Sequence, residues 1–179
     1  STQGKGVAWN GSIWVAVGGG SNSIATSPDG INWTAVSSSL SIFSTQGKGV
    51  AWNGSIWVAV GQGTNTIATS PDGITWTGRG SAIFTTRGNG VTWNGSLWVA
   101  VGEGTNSIAY SIDGITWTGL GTSIFSTSGF GVAWNGNLFV AVGSGTNSKA
   151  TSTDGINWTG RGESFFFNGY GVAWSSSLS

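Results

Sequence analysis

Apolar residues come in short runs closed by turn-forming clusters, and one succession of runs returns at a fixed interval. Gly-Val-Ala-Trp opens at Gly6, Gly49, Gly131 and Gly171, with Gly-Val-Thr-Trp at Gly90, giving successive offsets of 43, 41, 41 and 40 residues. Within the first copy, residues 7–9, 13–17, 24–27 and 31–34 are rich in Val, Ile, Thr and Trp, which predicts four short strands. Asn10-Gly11 separates the first two and predicts a two-residue type I′ hairpin with positive φ at both central residues. A polar glycine-bearing loop at 18–22 follows the second strand, and Pro28-Asp29-Gly30 makes a tight turn before the fourth. A linker leads from 35 to the next copy, and helical periodicity appears nowhere.

The second strand carries Ile13, Val15 and Val17 on one face and Trp14 and Ala16 on the other. Both faces are apolar, whereas a strand with one wet face alternates apolar with polar residues. A four-stranded antiparallel sheet packed between two similar sheets has this pattern, and a unit of about 41 residues has the size of a propeller blade. The fold class expected is therefore all-β, a β-propeller of four-stranded antiparallel blades, with four complete repeats and a partial fifth. The blades fall near 1–43, 44–84, 85–125 and 126–167, with an extra first strand and tail at 168–179, all within one repeat domain of 1–179.

Composition narrows the chemistry. The chain has 179 residues, with 33 Gly, 12 Trp and 7% charged residues; an ordinary soluble domain is about 25% charged. With no Cys and no His there is no disulfide framework, thiolate nucleophile, Ser-His-Asp triad or imidazole metal cluster, and no metal or cofactor is expected. Six basic residues balance six acidic ones, so neither nucleic acid nor an acidic membrane surface is an expected partner. No apolar run approaches the ~18 residues of a membrane span, no charged segment leads into an apolar stretch as a secretion signal does, and Gly18-Gly19-Gly20 precedes no helix that could cradle phosphate.

The turn before each fourth strand adds a resemblance. Ser27-Pro-Asp29-Gly30-Ile-Asn-Trp33-Thr34 resembles the Asp-box (BNR-like) repeat of β-propellers, and it recurs at residues 70–77, 111–118 and 152–159. In that family a residue usually separates the Asp from the Gly; here they are adjacent. The resemblance implies a structural role for Asp29, Trp33, Asp72, Trp76, Asp113, Trp117, Asp154 and Trp158: the carboxylate holds its own turn and the indole plugs the gap between sheets. Some relatives are glycosidases that grip a carboxylate with clustered arginines beside a tyrosine and its acidic partner. Here Arg79, Arg87, Arg161, Tyr110 and Tyr170 are spread over the repeats, so that activity is not expected to carry over, and no catalytic residue is assigned.

Comparison of the copies locates where a ligand could sit. The Asn-Gly and Asp-Gly turns share one end of the blades and barely change. The linkers and the loops after the second strand share the other end and vary, and variation on an unchanged scaffold is where specificity would reside. The position between two glycines is Lys5, Lys48, Asn89, Phe130 and Tyr170 in turn, and the position after the second strand is Gly19, Gln62, Glu103 and Ser144. Lys5, Gln62, Asn65, Asn89, Glu103, Asn106, Phe130, Asn147 and Tyr170 are the candidate ligand-binding residues. Eleven tryptophans occupy three repeated positions, which reads as core; an indole exposed beside the Gly-Thr-Asn loops (63–65, 104–106, 145–147) would instead favour a multivalent glycan-binding lectin.

Residues 1–18 and 44–61 are identical, and 175–179 repeats 37–41, as expected of recent amplification, a fragment or an engineered chain. Four blades either close alone or form an arc that further copies of the chain complete, since bare blade edges with so little charge are prone to associate. The functional expectation is a non-enzymatic repeat scaffold with itself as a candidate partner, and the alternative is the lectin.

Overall fold

The computed structural model describes residues 3–163 and 168–173. The first blade is built of β1 (Gln3–Trp9), β2 (Trp14–Gly19), β3 (Ile24–Ser27) and β4 (Thr34–Ala35), followed by one helical turn, α1 (Ser39–Ile42). The second has β5 (Gln46–Trp52), β6 (Trp57–Gln62), β7 (Ile67–Ser70) and β8 (Thr77–Gly78). The third has β9 (Arg87–Trp93), β10 (Trp98–Glu103), β11 (Ile108–Ser111) and β12 (Thr118–Gly119), and the fourth β13 (Ser128–Trp134), β14 (Phe139–Ser144), β15 (Lys149–Ser152) and β16 (Thr159–Gly160). Every blade is an antiparallel meander in chain order, and the pairing Glu103↔Ser128 links the third sheet to the fourth. The fold is an all-β propeller.

Three local expectations change. The fourth strand is two residues long rather than 31–34, because Asp29 Oδ1 takes the N–H groups of Ile31 and Asn32 into its turn and away from the ladder. The Asn-Gly hairpin is not type I′: among the described residues none but glycine has positive φ, and the last strand pair is Trp9↔Trp14, leaving a four-residue loop. Asn10 Oδ1 accepts from the N–H of Ser12 and Ile13 at 2.8 Å each, an Asx turn that leaves only Gly11 left-handed (φ 99°). Finally, Ser39–Ile42 form a helical turn closed by Phe43 N–H donating to Ser39 O, which no apolar periodicity announced.

The core lies between blades. Val15, Val17 and Ile24 of the first blade pack with Phe43 of the following linker and with Trp57, Ala59 and Trp76 of the second blade, and Val58, Val60 and Ile67 pack with the linker's Phe84 and with Trp98 and Ala100 in the same way. Burying one such side chain fully is worth about 1.5–3 kcal/mol, so each blade is stabilised chiefly by its neighbours. The two-sided apolar pattern of the second strand is thereby explained.

The four blades form an arc. Consecutive inner strands lie side by side, β1 with β5, β5 with β9 and β9 with β13; among the described residues β13 and β1 have no comparable contact. A Cβ placed on Gly47, Gly88 or Gly129 would meet Val17, Val60 or Val101 of the preceding blade at 2.7 Å, while one on Gly4 would meet nothing. Val7 is 56% exposed where its counterpart Val50 is 9%. Among the described residues, then, the inner strands of the first and fourth blades do not pack side by side. Beyond the fourth blade, Gly169 N–H donates to Gly143 O and Gly171 stands against Gly131 as the next inner strand would. Residues 174–179 lie outside the described chain.

Candidate functional site

Each of the four Asp-Gly turns is held by its own side chains, and the geometry repeats. Ser27 Oγ donates to Asp29 Oδ1 and accepts from Gly30 N–H, and Trp33 Nε1 donates to Gly30 O; the same bonds join Ser70, Asp72, Gly73 and Trp76, then Ser111, Asp113, Gly114 and Trp117, then Ser152, Asp154, Gly155 and Trp158. Two backbone N–H groups and a hydroxyl on one oxygen favour the ionised carboxyl. In Asp29 the Asn32 backbone N–H leads in holding the carboxyl below the usual range, and in Asp113 the Thr116 backbone N–H does. In Asp154 the Asn157 side chain leads. In Asp72 desolvation is the largest influence and opposes the shift, but the N–H groups of Thr75 and Ile74 and the Ser70 hydroxyl together bring the carboxyl down to about 2.

A pH dependence follows. A carboxyl whose folded pKa is depressed contributes stability above its unfolded pKa, about 3.9 for Asp, and loses it as pH falls through the folded value. With no His in the chain, the urea midpoint is expected to stay level from about pH 7 to pH 5 and to fall steadily below about pH 4. A midpoint that is flat down to pH 2.5 would contradict ionised boxes.

The candidate ligand residues divide into three groups. Asn65, Asn106 and Asn147 each donate Nδ2–H to a backbone carbonyl (Ile42, Ile83, Ile124) and accept at Oδ1 from Gly80, Gly121 or Gly162 N–H. They pin the loop after the second strand to the linker before the blade and to the chain leaving it, so their amides serve the scaffold. Gln62 and Glu103 are the last residues of β6 and β10 rather than loop residues. Across the ladder Gln62 Oε1 accepts from Gln46, and Glu103 pairs with Arg87 at 2.6 Å.

The third group converges. Lys5, Asn89, Phe130 and Tyr170, joined by Lys48, line one opening of ≈ 210 Å³ at the hub where the inner strands meet. The device is a β-bulge. The register shifts between Gly4 and Gly6, Gly47 and Gly49, Gly88 and Gly90, and Gly129 and Gly131. One residue in each inner strand is therefore unpaired: Lys5, Lys48, Asn89 or Phe130. Bulges re-aim a side chain out of the ladder, and here they turn four equivalent residues to the hub. Asn89 Nδ2 donates to Ser128 Oγ and Gly129 O, and the rings of Phe130 and Tyr170 lie 5.1 Å apart at 33°. Sequence reasoning found the variable position but not the bulge, for which glycines two apart inside a strand were the available signal.

The tryptophans sit elsewhere. Trp9, Trp52 and Trp93 pair with Trp14, Trp57 and Trp98 across the ladder, and Trp134 with Phe139, at the end of each blade that carries the Asn-Gly turns. The Gly-Thr-Asn loops are at the opposite strand ends, so the paired indoles do not stand beside them. The three arginines do not converge: Arg79 and Arg161 donate to Thr69 and Thr151 in their own blades, and Arg87 is paired with Glu103. Among the described residues no group of three acidic side chains gathers as a metal site would require.

No protein-family model and no curated protein sequence matches the chain. Solved structures do. The computationally designed Ika4 protein is similar at a TM-score of 0.60 and 10% identity, over 86% of this chain and 92% of Ika4. The computationally designed Ika8 protein gives 0.59 and 11%, over 85% of this chain and 46% of Ika8. The GH74 enzyme of Niastella koreensis gives 0.58 and 19%, over 88% of this chain and 24% of the enzyme. The chain thus spans nearly all of Ika4, about half of Ika8 and about a quarter of the enzyme. At these identities the likeness is one of fold, and that fold is the propeller.

Proposed function

We propose that this chain is a non-enzymatic propeller scaffold of Asp-box repeats whose ring is completed by a second copy of itself. The observation that carries this reading is the bare leading face of the first blade. In the interior blades the box glycine is buried against the preceding blade, Gly73 against Ile13 and Val15 and Gly114 against Ile56 and Val58. Gly30 is exposed and meets only Trp14 of its own blade. Ala59, Ala100 and Ala141 are fully buried, while Ala16 borders an open groove of ≈ 390 Å³ with Gly4, Gly6, Val7 and Trp33. At the far end Val140 is half-buried where Val15, Val58 and Val99 are fully covered.

A second copy is the favoured occupant because the interface is already repeated within the chain. Residues 1–18 equal 44–61, so the leading face of the first blade offers the side chains with which the second blade packs on its predecessor. A head-to-tail contact of this kind closes into a ring if the rotation permits and otherwise grows as a fibre. Residues 168–173 stand where the partner's β1 would enter, and Gly171-Val172-Ala173 repeats Gly6-Val7-Ala8, so one can replace the other.

Light scattering across a concentration series is expected to give a discrete multiple of 18.2 kDa. A monomer at every concentration up to about 100 μM would exclude ring completion, because it would put Kd above that value. Turnover of a sialoside or an aryl glycoside would overturn the non-enzymatic part.

A further inference from the structure

The hub opening, with residues 168–173 in place beside β13, carries an inference of its own. Its five side chains come from one repeated position, and the glycines on either side of that position serve the architecture. Gly6 stands against Lys48 O and Gly49 Cα, Gly49 against Asn89 O and Gly90 Cα, and Gly90 against Gly131 Cα and Phe130 O. The bulged residue between the glycines has no ladder partner to satisfy, so its identity is free to follow a ligand.

Its identity is also ordered around the hub. Lys5 and Lys48 are on adjacent blades, Asn89 comes next, and Phe130 and Tyr170 lie together on the far side. The cationic side is in excess: Lys48 is faced by Lys5 and Arg87, and the carboxylate near it, Glu103, is bonded to Arg87. Desolvation first, then Arg87 and Lys5, push the Lys48 ammonium down from its ordinary value. An anion seated there would relieve that repulsion. Opposite, the ring of Tyr170 is largely exposed and stacked obliquely on Phe130, an aromatic platform with one open side. Between them the Asn89 amide nitrogen is anchored to Ser128 Oγ and Gly129 O.

We infer that the hub binds a small carboxylate borne on an aromatic ring, with the anion between Lys5 and Lys48 and the ring against Phe130 and Tyr170. The volume supports the size: ≈ 210 Å³ is below the roughly 300–1,000 Å³ of drug-sized sites and suits a single ring with its carboxylate.

Titration calorimetry with benzoate, benzyl alcohol, acetate and glucuronate at matched ionic strength tests this. Benzoate is expected to bind more tightly than each of the others, and more weakly as salt is raised. Lys48→Gln and Tyr170→Ala are each expected to weaken benzoate by about tenfold or more, with the thermal midpoint of the unliganded protein unchanged. Benzoate no tighter than acetate would remove the ring contact, and benzoate no tighter than benzyl alcohol would remove the anion site. Glucuronate tighter than benzoate would replace the assignment with an acidic sugar. Each of these overturns the inference, as does benzoate binding that both variants leave intact. Should a variant fail to fold, the comparison of the four compounds on the unmodified protein decides alone.

Discussion

Gly102→Ala is expected to cost more than about 4 kcal/mol, enough to unfold the chain or its third blade. Gly102 lies in β10 opposite Gly88, and a Cβ there would stand 2.5 Å from Arg87 O and 2.6 Å from two atoms of the Phe84 ring. Neither neighbour can yield. Arg87 O belongs to the backbone of the adjacent inner strand, and Phe84 is fully buried between the second and third blades. The same arrangement recurs at Gly61, where a Cβ would stand 2.5 Å from Gln46 O and 2.8 Å from Phe43. Gly4→Ala supplies the control: its Cβ meets nothing within 4 Å, and the change is expected to stay within about 0.5 kcal/mol. Urea unfolding followed by tryptophan fluorescence measures both. Wild-type stability in Gly102→Ala would refute the close approach of linker ring and inner strand on which the second, third and fourth blades are built.

The repeat, the four strands and the division of turns between two ends are all readable from residues, because each rests on local chemistry. Asp-Gly and Asn-Gly punctuate the chain, and the β-branched runs between them are of strand length. What escapes such reading is competition for the same backbone groups. Residues 31–33 look like strand by composition, but Asp29 Oδ1 captures the N–H groups of Ile31 and Asn32, two and three residues on, before the ladder can. Asn10 likewise suits a type I′ turn by identity, yet its side chain takes two N–H groups and so lengthens the loop.

The hub was half legible. The variable position is visible by aligning the copies, and Lys5, Asn89, Phe130 and Tyr170 do meet there. Asn65, Asn106 and Asn147 share the variable end by position, but their burdens are long-range, to carbonyls 23 residues back and N–H groups 15 residues on. No local pattern announces such bonds. Ring closure is the least local property of all. It depends on the accumulated angle between blades, and an identical repeat can serve rings of several sizes.

One motif at two places in the arc tests that last point. Trp33 and Trp76 sit in the same box and each donates Nε1–H to its box glycine's carbonyl, at 3.1 Å and 2.8 Å. Their surroundings differ: Trp76 is 7% exposed against the first blade, whereas Trp33 is 42% exposed. Trp76→Ala is therefore expected to cost about 3–5 kcal/mol. Trp33→Ala, in dilute monomer, is expected to cost less than half of that, because much of the indole is already in water and little cavity can form. Where a second copy covers the leading face, the effect of Trp33→Ala moves from stability to assembly: the apparent mass falls toward 18.2 kDa while the urea midpoint at low concentration barely shifts. Equal destabilisation by the two substitutions in dilute protein would mean that the first blade has a predecessor within its own chain. The arc would then be closed, and the bare face that calls for a partner would not exist.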